Sequence, residues 1–204
     1  MPAYLREALD HFNPDVPAEW AYTQTTIRND LAITERFDPT QPPDNRWILL
    51  QYNGRVPSPE DREKYRHFKE SNPTTASQAA FRKGDIEPGS IELVREDAER
   101  ADFRCSFRAE AAGSDKMLGH LSLKLTVHKQ QRHIERFLLG LNEPYSPVLG
   151  VKMNTLAVEM TFSAPTADRP SLPAVGSSHF TGRIFFIGTE ESLQVSYSAF
   201  TRVR

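Results

Sequence analysis

The alternation in one short segment constrains this chain more than anything else in it. Leu121, Leu123, Leu125 and Val127 are separated by Ser122, Lys124, Thr126 and His128. Successive side chains of an extended strand point to opposite faces, so the segment is a strand with one dry face and one wet face. Phe103, Cys105 and Phe107 repeat the pattern against Arg104, Ser106 and Arg108, and Leu156, Val158, Met160 and Phe162 repeat it again. Trp20 and Tyr22 begin an earlier strand. Leu31, Ile33 and Phe37 form a second beyond Arg28-Asn29-Asp30, and residues 46–52 form a third, closed by Asn53-Gly54. Residues 91–95, 182–187 and 193–200 read as further strands, and Ala112-Gly113-Ser114-Asp115 as a turn. So persistent a period of two, with no βαβ alternation, predicts an antiparallel sheet.

Helices are few. Leu5, Ala8, Leu9 and Phe12 recur at helical spacing and predict a helix over about residues 3–12, stopped by Asn13-Pro14. Ser58-Pro59-Glu60-Asp61 is a helix start, with a capping serine, a proline at the first position and carboxylates on the positive end of the dipole. That helix is expected over 59–70, with Tyr65 and Phe68 as its thin apolar face. Residues 71–90 follow as a long loop without period.

The resulting expectation is a single α+β domain over residues 1–204. Its core is a strongly curved antiparallel sheet, an open or half β-barrel, with the helices covering the concave face. Two helices with narrow apolar stripes leave two outcomes: a solidly packed core, or a hollow able to hold a ligand. For the hollow, the lining is assigned to Tyr22, Trp47, Phe103, Leu123, Leu125, Phe162 and Phe186, with 71–90 as its gate.

Composition removes several function classes. A formal net charge of -2 argues against nucleic acid or an anionic surface as a bulk electrostatic partner. The longest apolar run, residues 137–141, is far too short to span a bilayer. With Cys105 the only cysteine, no intrachain disulfide can form. The opening Met1-Pro2-Ala3 leads into polar sequence without the charged and apolar regions of an export signal, which leaves two readings: a cytoplasmic protein, or an exported one whose signal was removed and a start Met supplied.

Catalytic chemistry finds no foothold. His120 and His128 share a strand face but are too far apart to chelate one ion, and His128 and His133 meet across a turn without companion ligands, so no metal is expected. Ser177-Ser178-His179 lacks a nucleophile elbow and reads as a turn. Glu60, Asp61 and Glu63 are explained by helix capping and dipole charge rather than as hydrolytic acids. No glycine-rich phosphate cradle occurs, and Cys105 between two phenylalanines is a small buried hydrophobe. The chain therefore reads as a non-enzymatic protein without a cofactor.

Several segments together resemble a known family. They are Trp20-Ala21-Tyr22-Thr23, Arg36-Phe37-Asp38-Pro39 before Arg46-Trp47-Ile48-Leu49-Leu50, Asn53-Gly54-Arg55-Val56-Pro57-Ser58, Pro144-Tyr145-Ser146-Pro147 and Val195-Ser196-Tyr197-Ser198-Ala199-Phe200. In this order the chain resembles the LolA/LolB-like lipoprotein-carrier superfamily of Gram-negative bacteria, in an uncharacterised proteobacterial branch. The resemblance implies an open barrel with helices as a lid over a hollow that holds acyl chains, and a periplasmic location. The expected function is then binding of a lipid or other apolar ligand. The alternative is a protein-interaction or envelope-sensing module with a filled core, working through the polar face that carries Arg104, Arg108, Lys124 and His128.

Overall fold

The computed structural model describes residues 1–71, 81–109 and 117–203, so the turn expected at 112–115 and part of the loop at 71–90 lie outside the described residues. Helix α1 spans Ala3–His11 and buries Leu5, Ala8 and Leu9, the stripe set by the helical spacing. Helix α2 spans Pro59–Ser71. Its start is a capping box: the Asp61 amide donates to Ser58 Oγ at 3.2 Å, and the Ser58 amide donates back to Asp61 Oδ2 at 2.8 Å.

Among the described residues ten strands form one antiparallel sheet. They are β1 (Trp20–Arg28), β2 (Leu31–Phe37), β3 (Trp47–Tyr52), β4 (Glu92–Glu96), β5 (Arg100–Cys105), β6 (Leu121–His128), β7 (His133–Leu141), β8 (Val151–Phe162), β9 (Pro173–Ile184) and β10 (Ile187–Arg202). Their order is β3-β2-β1-β10-β9-β8-β7-β6-β5-β4. Strands β4 to β10 run as a meander, and the N-terminal β1 adds itself beside β10. The sheet is open, with β3 and β4 at its edges. Strand β4 is exposed along its whole length and carries Glu92, Arg95 and Glu96, charges that discourage pairing with another chain.

Register shows which side chains share a face, because directly opposed residues of an antiparallel pair point the same way. One row crosses the entire sheet: Leu93, Phe103, Leu125, Phe137, Met160, Gly176, Val195, Thr26, Ile33 and Tyr52. At the β5–β7 end Leu5, Ala8 and Leu9 of α1 pack with Phe103, Leu123, Leu125, Val127, Ile134, Phe137 and Leu139 into the main core. At the β2–β3 end Tyr65 of α2 packs with Ile33 and Leu49 into a smaller one. Both helices thus lie on the same side of the sheet.

Three expectations need correction. The run at 182–187 is not one strand: it folds back on itself at Phe185-Phe186, and β10 continues without a break from Ile187 to Arg202. No Gly, Asn, Asp or Pro stands at that turn to mark it. Ser177-Ser178-His179 lies inside β9 rather than in a turn. Finally, residues 81–90 are not an unpacked loop. Phe81 is buried against Phe12, Phe107 and Phe137, and Ile86 pairs with Phe107.

Candidate functional site: the sheet face between the helices

The seven side chains assigned to a ligand hollow separate into three places. Phe103, Leu123 and Leu125 are at most 1 % exposed, and Phe162 is buried with its ring 5.3 Å from Phe12 and 6.0 Å from Phe137. These four are solid core. The stripe of α1, together with Phe12 and Phe81, packs against them. Tyr22 and Trp47 sit at the other end with their rings 5.9 Å apart. Phe186 is at the tip of the β9–β10 hairpin and 98 % exposed, so it lines nothing.

Between the two helical cores the same face continues without a helix over it. Here β8 presents Val158 and Met160, β9 presents Phe180, and β10 presents Leu193, Val195 and Tyr197, all half-buried. Val158 and Met160 touch the α1 core at its border, whereas Phe180, Leu193 and Val195 belong to neither core. The strip crosses three strand spacings from β8 to β1, about 14 Å at roughly 4.8 Å per spacing. Its floor is tight: a side chain added at Gly176 would meet the Met160 thioether, with the methyl carbon at 2.9 Å.

An aromatic wall closes the strip toward α2. Tyr22 lies 5.2 Å from Phe37, 5.8 Å from Tyr197 and 6.0 Å from Phe200, measured between ring centroids. Burial raises the phenol pKa of both Tyr22 and Tyr197, so they stay neutral at any physiological pH. Behind the wall sits Glu35, a carboxylate only 4 % exposed. Its Oε2 accepts from the Tyr65 hydroxyl at 2.5 Å and pairs with Lys69 Nζ at 2.9 Å, while Oε1 accepts from Gln24 Nε2 at 3.4 Å. The Lys69 ammonium in turn stands 4.2 Å over the Trp47 ring. These contacts occupy the carboxylate, whose work is to hold α2 on the sheet. What faces the strip is mainly aliphatic and aromatic surface, with Ser178 between Val158 and Leu193 and Thr26 beside Val195.

The opposite face carries many of the charges together with exposed Ile27, Ile48, Leu50 and Val175, and two shallow clefts open on it among the described residues. One, of about 300 Å³, is lined by Arg95, Asp97, Arg100, Asp102, Thr126 and Arg136, with most of its charges satisfied internally. The other, of about 380 Å³, opens over β8–β10 and is lined by Ile27, Leu138 and Ala157 as well as by Glu159, Ser177 and His179. Arg104 and Lys124 are paired across β5 and β6 on this side, while Arg108 donates to the Ile86 carbonyl at 3.2 Å. His128 and His133 do meet, with rings stacked at 5.7 Å. Among the described residues no three of His, Cys, Asp and Glu come together as a metal would require. Cys105 is buried, and burial pushes its thiol up to about 11, which makes it unreactive.

Fold and face together define an open antiparallel sheet with two helices on one side and an uncovered apolar strip between them. Comparison with family models, with curated proteins and with solved structures finds no match to this chain. No helix among the described residues is long and apolar enough to cross a membrane.

Proposed function

We propose that this chain is a non-enzymatic binding protein. It holds a lipid or another extended apolar ligand against the helix-bearing side of the sheet, taken here as the concave side of a half-barrel. The observation that carries the reading is the strip of Phe180, Leu193 and Val195: apolar, half-buried and outside both cores, with packed side chains on either flank. Apolar surface left in this state is stabilised by whatever apolar matter covers it, at roughly 25 cal/mol per Å² removed from water. The binding set is therefore Tyr22, Val158, Met160, Phe180, Leu193, Val195 and Tyr197, which replaces the deep core residues. A periplasmic location and kinship with the lipoprotein-carrier superfamily belong to the same proposal.

Native mass spectrometry of the purified protein, with organic extraction, tests it. Wild type is expected to carry a lipid or fatty acid, or to take up a fluorescent apolar probe. Leu193→Glu should lose that ability, as should Val195→Trp, which fills the strip while keeping it apolar. Lys124→Ala on the opposite face should retain it. A bare mass with no probe uptake by wild type, or equal binding by all four proteins, would overturn the reading and send the search to protein partners of the polar face.

A further inference from the structure

The largest unexplained apolar surface is not on a face of the sheet but at its end. Strand β10 pairs with β1 only from Leu193 onward, yet it continues back to Ile187. The β9–β10 hairpin therefore runs six residues past the end of β1, about 20 Å at roughly 3.3 Å per residue. At its tip the turn is Phe185-Phe186, flanked by the paired Ile184 and Ile187, and all four side chains are exposed. The β7–β8 connection rises to the same height and adds Val148 and Leu149, the latter 101 % exposed. The two loops are tied together: the Phe185 amide donates to the Gly150 carbonyl at 2.5 Å, and the Phe185 ring lies against Gly150.

Two features set this tip apart from surface apolar residues scattered at random. Phe185 has φ of 54°, a left-handed backbone that a two-residue hairpin ordinarily gives to Gly at this position. Elsewhere in the chain the turns at residues 29 and 53 place Asn in this conformation, while Arg132 and Ala199 adopt it as well, so the aromatic at Phe185 is the unusual part. A bulky aromatic there is strained and, at 71 % exposure, gains little burial in return. Strained positions of this kind concentrate where a surface does something. The second feature is charge. Lys152 and Arg183 are directly paired across β8 and β9 one step below the tip, both exposed and neither in an ion pair among the described residues. The nearest carboxylate along the hairpin, Glu190, is opposite Thr181, two residues further from the tip than Arg183.

We infer that this tip inserts into the interfacial region of an anionic lipid bilayer. Phe185, Phe186 and Leu149 enter the acyl boundary, and Lys152 and Arg183 meet the headgroup phosphates. Aromatic side chains with a basic collar below them are the composition that interfacial binding selects. A second copy of the chain fits less well. Six side chains on two convex loops fall far short of the 20–30 residues that a stable interface uses on each side, and the basic collars would repel. The inference stands apart from the apolar-ligand reading, because the tip and the strip share no residue.

Co-sedimentation of the intact chain with vesicles decides it. Wild type is expected to bind vesicles of mixed phosphatidylglycerol and phosphatidylcholine, and to bind pure phosphatidylcholine much more weakly. Removing the apolar contacts in Phe186→Ser/Leu149→Ser should cut anionic-vesicle binding by at least about tenfold. Lys152→Ala and Arg183→Ala should each cost roughly fivefold and flatten the dependence on salt. These positions are exposed, so unchanged far-ultraviolet circular dichroism and melting confirm that the variants are folded. Failure of wild type to bind anionic vesicles, or equal binding by wild type and the double serine variant, would overturn the inference. Concentration-dependent dimerisation in sedimentation velocity that the double serine variant abolishes would overturn it too, by giving the tip to a second copy.

Discussion

Replacing Lys69 by methionine probes whether a buried carboxylate, rather than apolar area, clamps α2 to the sheet. The helix has a sparse apolar face: only Tyr65 enters the small core with Ile33 and Leu49. Glu35 is 4 % exposed and shares its Oε2 between the Tyr65 hydroxyl and Lys69 Nζ. Removing one partner of a fully buried pair costs about 3–5 kcal/mol, because the remaining charge stays desolvated. The Lys69 side chain is 21 % exposed, so water can reach the vacated place and the cost should fall to about 2 kcal/mol. Tyr65→Phe removes a hydrogen bond to a charged group and should also cost about 2 kcal/mol. Glu35→Gln should be milder, about 1 kcal/mol, since the amide still accepts from Tyr65 and Lys69 can turn to solvent. The double variant Glu35→Gln/Lys69→Met should then be more stable than the sum of its singles implies, by about 1 kcal/mol or more. Urea unfolding followed by tryptophan fluorescence measures all four, with Trp47 lying directly under the ammonium. A loss below about 0.5 kcal/mol for Lys69→Met, with additive singles, would mean that Glu35 is already hydrated and that the clamp does not exist.

Two further outcomes follow from the packing. Leu123 is wholly buried under α1, so Leu123→Ala should lose about 3 kcal/mol and roughly 6–12 °C in Tm, against under about 1 kcal/mol for Leu193→Ala in the strip. Equal losses in calorimetry would show the strip to be core as well. His133 is buried, and desolvation lowers its pKa below the ordinary 6.5, an effect that neighbouring Glu135 opposes and His128 reinforces. The unfolded chain then binds more protons than the folded one between that lowered value and 6.5, so stability rises with pH through this window and falls on acidification below 6.5. Melting scans from pH 7 to 5 should show wild type losing ground to His133→Leu as pH falls, and parallel curves would refute it.

The alternation of Leu121 to Val127 and of Leu156 to Phe162 determined strand character, and with it an antiparallel sheet, because a period of two is imposed locally by the backbone. Ser58-Pro59-Glu60-Asp61 determined where α2 begins, since a cap needs only neighbours in sequence. The alternation of Leu193, Val195 and Tyr197 was legible too, although nothing in it marks a binding strip rather than a core. Strand β7, whose bulge at Glu135 breaks the period, gave no such signal, and neither did the Phe185-Phe186 turn, which lacks the usual turn residues. Only the tertiary structure decided that Leu123 and Leu125 are sealed while Leu193 and Val195 are half-open. All four alternate alike, and the difference is whether α1 reaches over them. It decided likewise that Phe186 stands in solvent, because a hydrophobic residue's burial depends on what the rest of the chain brings against it, and here nothing does.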